Sequence, residues 1–486
     1  MKRLSQPSVL TLAVIALGFG LRLYHLDAQS FWHDEAYSAG VARATPTDIL
    51  ANRFSDVHPP LYYLLLHYWL AIGQGDFVLR LFSTMLGVAG IAAMYSLGRV
   101  LCDENVGLVA ATVTAVVPYM IFYSQEVRMY ALLFLLSCLL LTSYARMLHT
   151  DSPSWWAAYT VLAALSLNTH FFSGLLILSL HLHFVICRTP HRIPWHRLAL
   201  SDGLIVLTFI PRLGVITVQA GLVAGDYWIS RPSFAQLLSA PYAFTLSRHV
   251  SQSLLPLAFA AVLFLFILTH LQIARELAAR APDTAALTLM LVALWSPLLL
   301  TFVLSQWRPV YLERTLIVAV PGLYLLLGWG TARTRERLVN VALALVVALF
   351  AVNGLWNWYF DPDFAKPPFR AAAQFLQDKV EPGEPTVHTS DAAFVIFSHY
   401  APGCRRYLLE GDPAPARPVE SYELFGGEII AKEELSAPQF WLVVALDNSI
   451  DFQRGLVDWF DAHHQLTEVR DFAGVNLRHY EAVKPK

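Results

Sequence analysis

Charge is what this chain has least of. Only 14% of its 486 residues are Asp, Glu, Lys or Arg, against about 25% in soluble domains, which argues against a single soluble enzyme. The deficit is uneven. Residues 1–360 hold 22 Lys and Arg and 16 Asp and Glu, whereas residues 361–486 hold 12 and 20. The first part is thus roughly one-tenth charged and the second roughly one-quarter, the ordinary soluble proportion. Cysteine is also scarce. Cys102, Cys138, Cys187 and Cys404 offer neither a disulfide framework nor a CxxC zinc spacing. Lysine nearly vanishes from residues 1–360, which use one Lys and 21 Arg. A net charge of -2 argues against nucleic acid, which demands a basic surface. There is no internal repeat and no low-complexity tract.

What the chain has in abundance is apolar runs near the roughly 20 residues that cross a bilayer. Candidate crossings are 8–26, 77–99, 105–123, 128–147, 198–218, 252–271, 284–305, 311–330 and 337–357. The stretch 154–187 is too long for one crossing, and Asn168-Thr169-His170 divides it into two short helices. Leu61–Ile72 is too short and reads as a re-entrant or interfacial helix. Eleven crossings are therefore expected. Met1-Lys2-Arg3 before an apolar run resembles a signal sequence, but no small-residue cleavage site follows, so it reads as an uncleaved anchor with its positive end in the cytoplasm.

With that orientation, the clusters Arg188, Arg192, Arg197 and Arg333, Arg335, Arg337 share the cytoplasmic side, as the positive-inside rule requires. Segment 27–76 and the loops near 126, 226 and 308 then share the outer face with the tail. The expected fold class is a polytopic α-helical membrane protein, residues 1–360, with a small C-terminal α/β soluble domain, residues 361–486. That domain shows a helix-like stretch near 370–380, a strand-like run Phe440–Leu446, a helix near 451–463 and a strand pair around Leu466–Val483, the makings of a layered α/β fold.

Four outer-face segments concentrate polar chemistry. The first is Phe31-Trp32-His33-Asp34-Glu35-Ala36-Tyr37, a carboxylate pair beside aromatic rings. Such a pair suits general-base work, and equally fits an ordinary solvated loop. It is not the HExxH zinc motif, because no second His follows at that spacing. The second is Asp56-Val57-His58-Pro59-Pro60-Leu61-Tyr62-Tyr63, whose prolines fix how the next helix begins. His58 could bind a phosphate, a sugar or a metal, or simply cap a turn. The third is Tyr123-Ser124-Gln125-Glu126-Val127-Arg128-Met129-Tyr130, with Glu126 and Arg128 at an apolar boundary where ionisable groups are costly. The fourth is Gln306-Trp307-Arg308-Pro309-Val310-Tyr311-Leu312-Glu313-Arg314, whose guanidinium groups suit bidentate phosphate recognition. Interfacial snorkelling accounts for Arg314 alone but less easily for the cluster. His170 lies on the same face, as do Asp226, Tyr227, Trp228 and Arg231, aromatic-rich loop residues of the kind any interface attracts.

Taken in order, WHDEAY, DVHPPLYY, YSQEVRMYAL and RPVYLERTLIVAVPGL resemble the motifs of bacterial GT-C fold membrane glycosyltransferases. The branch is the one related to protein O-mannosyltransferases and lipid A aminoarabinose transferases, and the resemblance covers about the first 330 residues. It implies a bacterial cytoplasmic-membrane enzyme that takes a sugar from a polyprenyl-phosphate-linked donor on the extracytoplasmic face. It further implies Asp34 as the base that deprotonates an acceptor hydroxyl, with inversion at the anomeric carbon. Glu35 and Glu126 complete the catalytic set. His33, His58, Tyr62, Arg128, Tyr130, His170, Arg308, Tyr311 and Arg314 form the expected substrate-binding set, with Arg128, Arg308 and Arg314 assigned to the phosphate on charge and side. No cofactor is certain. His33, Asp34, Glu35, His58, Glu126 and His170 could hold a divalent cation, but no ligand spacing demands one. The acceptor is left open among lipid, glycan and protein. A transporter of lipid-linked saccharides is the alternative, but it predicts midplane charges and repeats. A membrane scaffold would leave the HDE and QEVR segments without a purpose.

Overall fold

The computed structural model describes residues 6–54, 57–187, 194–214, 229–333, 337–410, 419–445 and 450–482. Asp226, Tyr227 and Trp228, and Arg188, Arg192 and Arg335, lie outside them. The chain divides into two compact units. One comprises Met1–Tyr24, Val57–Tyr62 and Arg80–Phe364, and the other His25–Asp56, Tyr63–Leu79 and Ala365–Lys486. The second unit therefore contains more than the acidic tail. It also takes in the WHDEAY segment.

The first unit is helical, as its apolar runs require. Among the described residues, six helices are long and apolar enough to cross a membrane: Asp76–Leu101, Tyr130–His149, Leu255–Ala278, Thr284–Leu304, Thr315–Arg333 and Leu338–Phe360. The pair Glu104–Val116 and Pro118–Ser124, bent by 62°, makes a seventh if it counts as one span. The other expected crossings fall on shorter helices, Gln6–Leu23, Pro153–Leu167, Ser173–Ile186 and Trp195–Phe209. Length alone thus marks six or seven spans, where the apolar runs suggested eleven. The long outer loop expected over 219–250 contains a helix, Phe234–Leu246, opened by a reciprocal capping box between Ser233 and Gln236. That Ser-x-x-Gln signature is readable in sequence.

The bend at Val117–Pro118 has a specific cause and a specific remedy. Pro118 has no N–H to donate, so the helix ahead of it breaks and leaves carbonyls without partners. Arg22, fully buried, fills the gap. Its guanidinium donates to the carbonyls of Thr114 at 2.9 Å, Ala115 at 2.9 Å and Gly18 at 3.0 Å, and to Ser124 Oγ at 3.0 Å. A cation at a helix C-terminus also complements the macrodipole. The helix Gln6–Leu23 is thereby bonded to the bent helix pair.

The second unit is built on one six-stranded sheet of order β3-β2-β1-β4-β6-β5. The strands are β1 (Pro385–His388), β2 (Arg405–Leu409), β3 (Gly427–Ile430), β4 (Gln439–Ala445), β5 (His464–Asp471) and β6 (Val475–Ala482). The first four are parallel, and β6 pairs antiparallel with β4 and β5. Parallel neighbours need a crossover, and the helix Asp391–Tyr400 supplies it between β1 and β2. Val387, Leu409, Phe440, Leu442, Leu456, Phe460 and Tyr480 form its core. The antiparallel hairpin turns through Ala473 and Gly474, both at positive φ, so the glycine sits where only it is unstrained. The expected fold class, helical membrane part and small C-terminal α/β part, is the one the chain adopts.

Candidate active site

In the second unit, the helix His33–Arg43 opens with Asp34 and Glu35 in its first turn, where the macrodipole favours negative charge. The two carboxylates part company there. Asp34 keeps 18% of its side chain exposed and stands 3.4 Å from His33 Nδ1. Glu35 is fully buried, and Lys366 Nζ donates to its Oε2 at 2.9 Å. The same ammonium lies 5.5 Å from the centre of the Trp32 ring. Grouped with Asp34 as catalytic from sequence, Glu35 is therefore turned inward and neutralised by Lys366, a residue sequence reasoning had not singled out. Tyr37 is buried too, its hydroxyl donating to the Phe54 carbonyl at 3.1 Å.

In the first unit, the remaining candidates form a connected series. The rings of His58 and His170 lie 5.0 Å apart, and Leu61 N–H donates to the Asn168 carbonyl at 3.1 Å. His170 is buried. Its Nδ1 accepts from Phe172 N–H at 3.1 Å, which places any proton of the neutral ring on Nε2. Tyr62 Oη lies 2.9 Å from Ser83 Oγ, which donates to the Arg128 carbonyl at 3.4 Å. Arg128 N–H closes a tight turn on the Glu126 carbonyl at 2.8 Å, and both side chains are buried.

From Arg128 the series continues through aromatic rings. The Arg128 guanidinium lies 6.0 Å from the Tyr130 ring centre. Tyr130 packs on Tyr123 at 5.0 Å, and Tyr123 on Tyr119 at 4.7 Å. The Tyr119 hydroxyl donates to the Glu313 carbonyl at 3.0 Å, and the charges of Glu126, Glu313 and Arg314 all act on Tyr123. Thus the HPPLYY, QEVR and RPVYLER segments, separated in sequence, are linked stepwise, with His170 beside His58 at one end and the Glu313 carbonyl at the other. Tyr311 is buried and its hydroxyl makes no hydrogen bond among the described residues. Arg314 is half-buried and Arg308 exposed. Ser83, Tyr119 and Tyr123 join the series without having been named from sequence. Tyr123 did stand inside a quoted motif.

Among the described residues, no three His, Cys, Asp or Glu side chains converge to hold a metal ion. Of the set considered from sequence, His33, Asp34 and Glu35 belong to one unit, and His58, Glu126 and His170 to the other.

With its apolar spanning helices and small C-terminal α/β part, the chain is a polytopic membrane protein whose architecture matches the GT-C membrane fold. Residues 57–214 match the family model described as dolichyl-phosphate-mannose-protein mannosyltransferase. That range holds the HPPLYY and QEVR segments and His170, and starts after WHDEAY. In structure the chain is similar to ArnT from Cupriavidus metallidurans in the apo state, with a TM-score of 0.63 and 12% identity over 98% of each chain. The same protein bound to undecaprenyl phosphate gives 0.62 and 13%, over 96% of this chain and 97% of that one. The Archaeoglobus fulgidus oligosaccharyltransferase in complex with zinc and sulfate gives 0.51 and 13%, over 90% of this chain and 68% of that one. No curated protein matches the sequence. The chain thus shares the fold of ArnT, and part of its first unit resembles the protein mannosyltransferase family.

Proposed function

We propose that the chain is an inverting glycosyltransferase that moves a sugar from a polyprenyl-phosphate donor to an acceptor hydroxyl, at the extracytoplasmic face of a bacterial cytoplasmic membrane. Asp34 takes the hydroxyl proton as the acceptor oxygen bonds to the anomeric carbon. The bond from that carbon to the phosphate oxygen breaks on the opposite side, and its electron pair leaves with the polyprenyl phosphate. Negative charge grows on the phosphate during this step, so cations stabilise it. Arg128, Arg308 and Arg314 are the candidates for that role. Glu126 orients the acceptor, while Glu35 stays ion-paired and takes no proton.

The observation that carries this reading is the division of labour between the two adjacent carboxylates. On a chain whose fold follows a polyprenyl-phosphate-binding structure over 96% of its length, only Asp34 of the pair retains an accessible carboxylate. The test is release of polyprenyl phosphate from a panel of polyprenyl-phosphate sugars by the lipid-reconstituted chain, with cell-envelope extract supplying acceptor. Asp34→Asn is expected to lower release by at least about a hundredfold, in line with losing a positioned general base, while membrane insertion is unchanged. Full release by Asp34→Asn would remove Asp34 as the base.

A further inference from the structure

The helix His33–Arg43 carries Asp34 in its first turn, and no side-chain N-cap closes that turn. Trp32 stands at its N-cap and its side chain makes no capping hydrogen bond. The direction in which the helix starts is therefore set by the Lys366–Glu35 pair in its first turn together with what holds residues 27–32. Those residues are held from more than 300 positions downstream. Lys366 N–H donates to Gln29 Oε1 and Arg370 N–H to Ser30 Oγ, each at 3.0 Å. The Arg370 guanidinium donates to the Asp27 carbonyl at 3.0 Å. Phe31 is fully buried. Its N–H donates to Tyr400 Oη at 2.6 Å, and its ring stacks on the His399 imidazole at 4.7 Å.

Asp76 ties these contacts together. Its Oδ2 accepts from the Tyr400 hydroxyl at 2.5 Å and from Arg370 Nη2 at 2.6 Å, and its Oδ1 lies 2.9 Å from His399 Nε2. The proton directions are fixed by elimination. Phe31 N–H can only donate, so the Tyr400 hydroxyl accepts from it and spends its own proton on Asp76. Arg43 Nη2 lies 2.9 Å from His399 Nδ1 and can only donate, so Nδ1 is bare and Nε2–H points at Asp76. His399 is thus neutral. Burial holds it below the usual imidazole range, outweighing the pull of Asp76. Arg43 is the last residue of the Asp34 helix, so one cluster touches that helix at its end and the segment just before its start.

We infer that Asp76, His399 and Tyr400 are positioning residues for Asp34, a hydrogen-bonded latch by which the C-terminal part of the chain sets the orientation of the base. The inference rests on the reading of Asp34 given above. A general base displaced by a fraction of an ångström loses much of its advantage, so a loosened latch costs turnover and leaves donor binding alone.

The test is Tyr400→Phe in the full-length, lipid-reconstituted chain. The substitution keeps the ring and removes the one oxygen that joins Phe31 to Asp76. Turnover should fall about ten- to hundredfold, with KM for the donor within about twofold. His399→Gln, whose amide can accept from Arg43 and donate to Asp76, should keep turnover within about threefold, whereas His399→Phe should fall as Tyr400→Phe does. Hydrogen exchange gives a readout independent of activity. In Tyr400→Phe the amides of Glu35 and Ala36, both bonded to the Trp32 carbonyl at 3.1 Å, should lose protection while those of β4 keep theirs. Unchanged protection at residues 33–38, unchanged turnover, or a rise in KM at constant turnover would each overturn the latch. If Asp34→Asn kept full turnover, the base assignment would fall, and the exchange data would still decide whether the latch holds the helix.

Discussion

Removing Lys366 isolates a buried charge whose cost can be worked out. Glu35 has no exposed side-chain surface and Lys366 only 12%. At the observed 2.9 Å, an effective dielectric of about 20 gives a gross attraction of about 6 kcal/mol. Desolvation of both ions offsets most of that, so the pair itself adds little net stability. Deleting one partner is different, because the other is left buried and uncompensated, at about 3–5 kcal/mol. Lys366→Met keeps an aliphatic stem against Trp32 and removes only the ammonium. The opening free energy of the second unit, read from hydrogen exchange of β4 amides in the full chain, should fall by about 3–5 kcal/mol. Adding Glu35→Gln should recover most of the loss, since a neutral amide no longer needs a counter-ion. A loss below about 1 kcal/mol in Lys366→Met, or a double variant as damaged as the single, would refute the reasoning.

Two further outcomes follow from other buried groups. Arg22→Met strips four hydrogen bonds at once and leaves the Thr114 and Ala115 carbonyls unpaired beside the bend. At about 1–3 kcal/mol per orphaned group, the expected loss is about 3–5 kcal/mol, seen as a clear drop in the thermal unfolding midpoint in detergent; an unmoved midpoint would show that the bend does not depend on Arg22. His388 is fully buried against Phe394 and Phe397, and burial, reinforced by the Arg406 charge, pushes its pKa down to about 3. The unfolded chain takes up this proton near pH 6.5 and the folded chain refuses it until about 3, so stability falls as pH drops through that window. Linkage gives a loss of about 2 kcal/mol at pH 5 relative to pH 8. His388→Leu should abolish that component of the slope in β1 and β4 exchange, and an identical slope in the variant would rule His388 out as its source.

How much of this was legible beforehand depends on whether the signal was local. Apolar runs located most of the long helices to within a few residues, because a bilayer fixes their length, although the helix Leu255–Ala278 runs seven residues past the expected end at 271. The run at 440–446 gave β4, and the tail's amphipathic stretches gave the helices Phe369–Lys379 and Ile450–His463. The short parallel strands β1, β2 and β3 were not legible. Their four or five residues carry too little pattern to separate from loop. The number of spans is less legible, because apolar composition alone does not separate a full crossing from short helices such as Pro153–Leu167 or Ser173–Ile186.

The site divides along the same line. Residue type and spacing singled out Asp34, Glu126, His170, Tyr311 and Arg314 because polar groups at apolar boundaries are conspicuous. What fixes them was invisible, because it comes from places where nothing looks unusual. Lys366 reads as a linker residue and Asp76 as the acidic first turn of a span. Nothing in the sequence marks His399 or Tyr400. Only folding brings Lys366, His399 and Tyr400 onto residues 29–35, with Asp76 behind His399 and Tyr400, and a burial rule then separates two carboxylates that sequence treats as equals. A carboxylate with no exposed surface must be paired or protonated, and Glu35 has Lys366. Asp34, one residue earlier on the same helix turn, keeps its opening to solvent. Adjacent positions on a helix point about 100° apart, so a helix whose orientation is fixed by a distant latch must bury one of the pair and present the other. The identity of the proposed base thus depends as much on His399 and Tyr400 as on Asp34 itself.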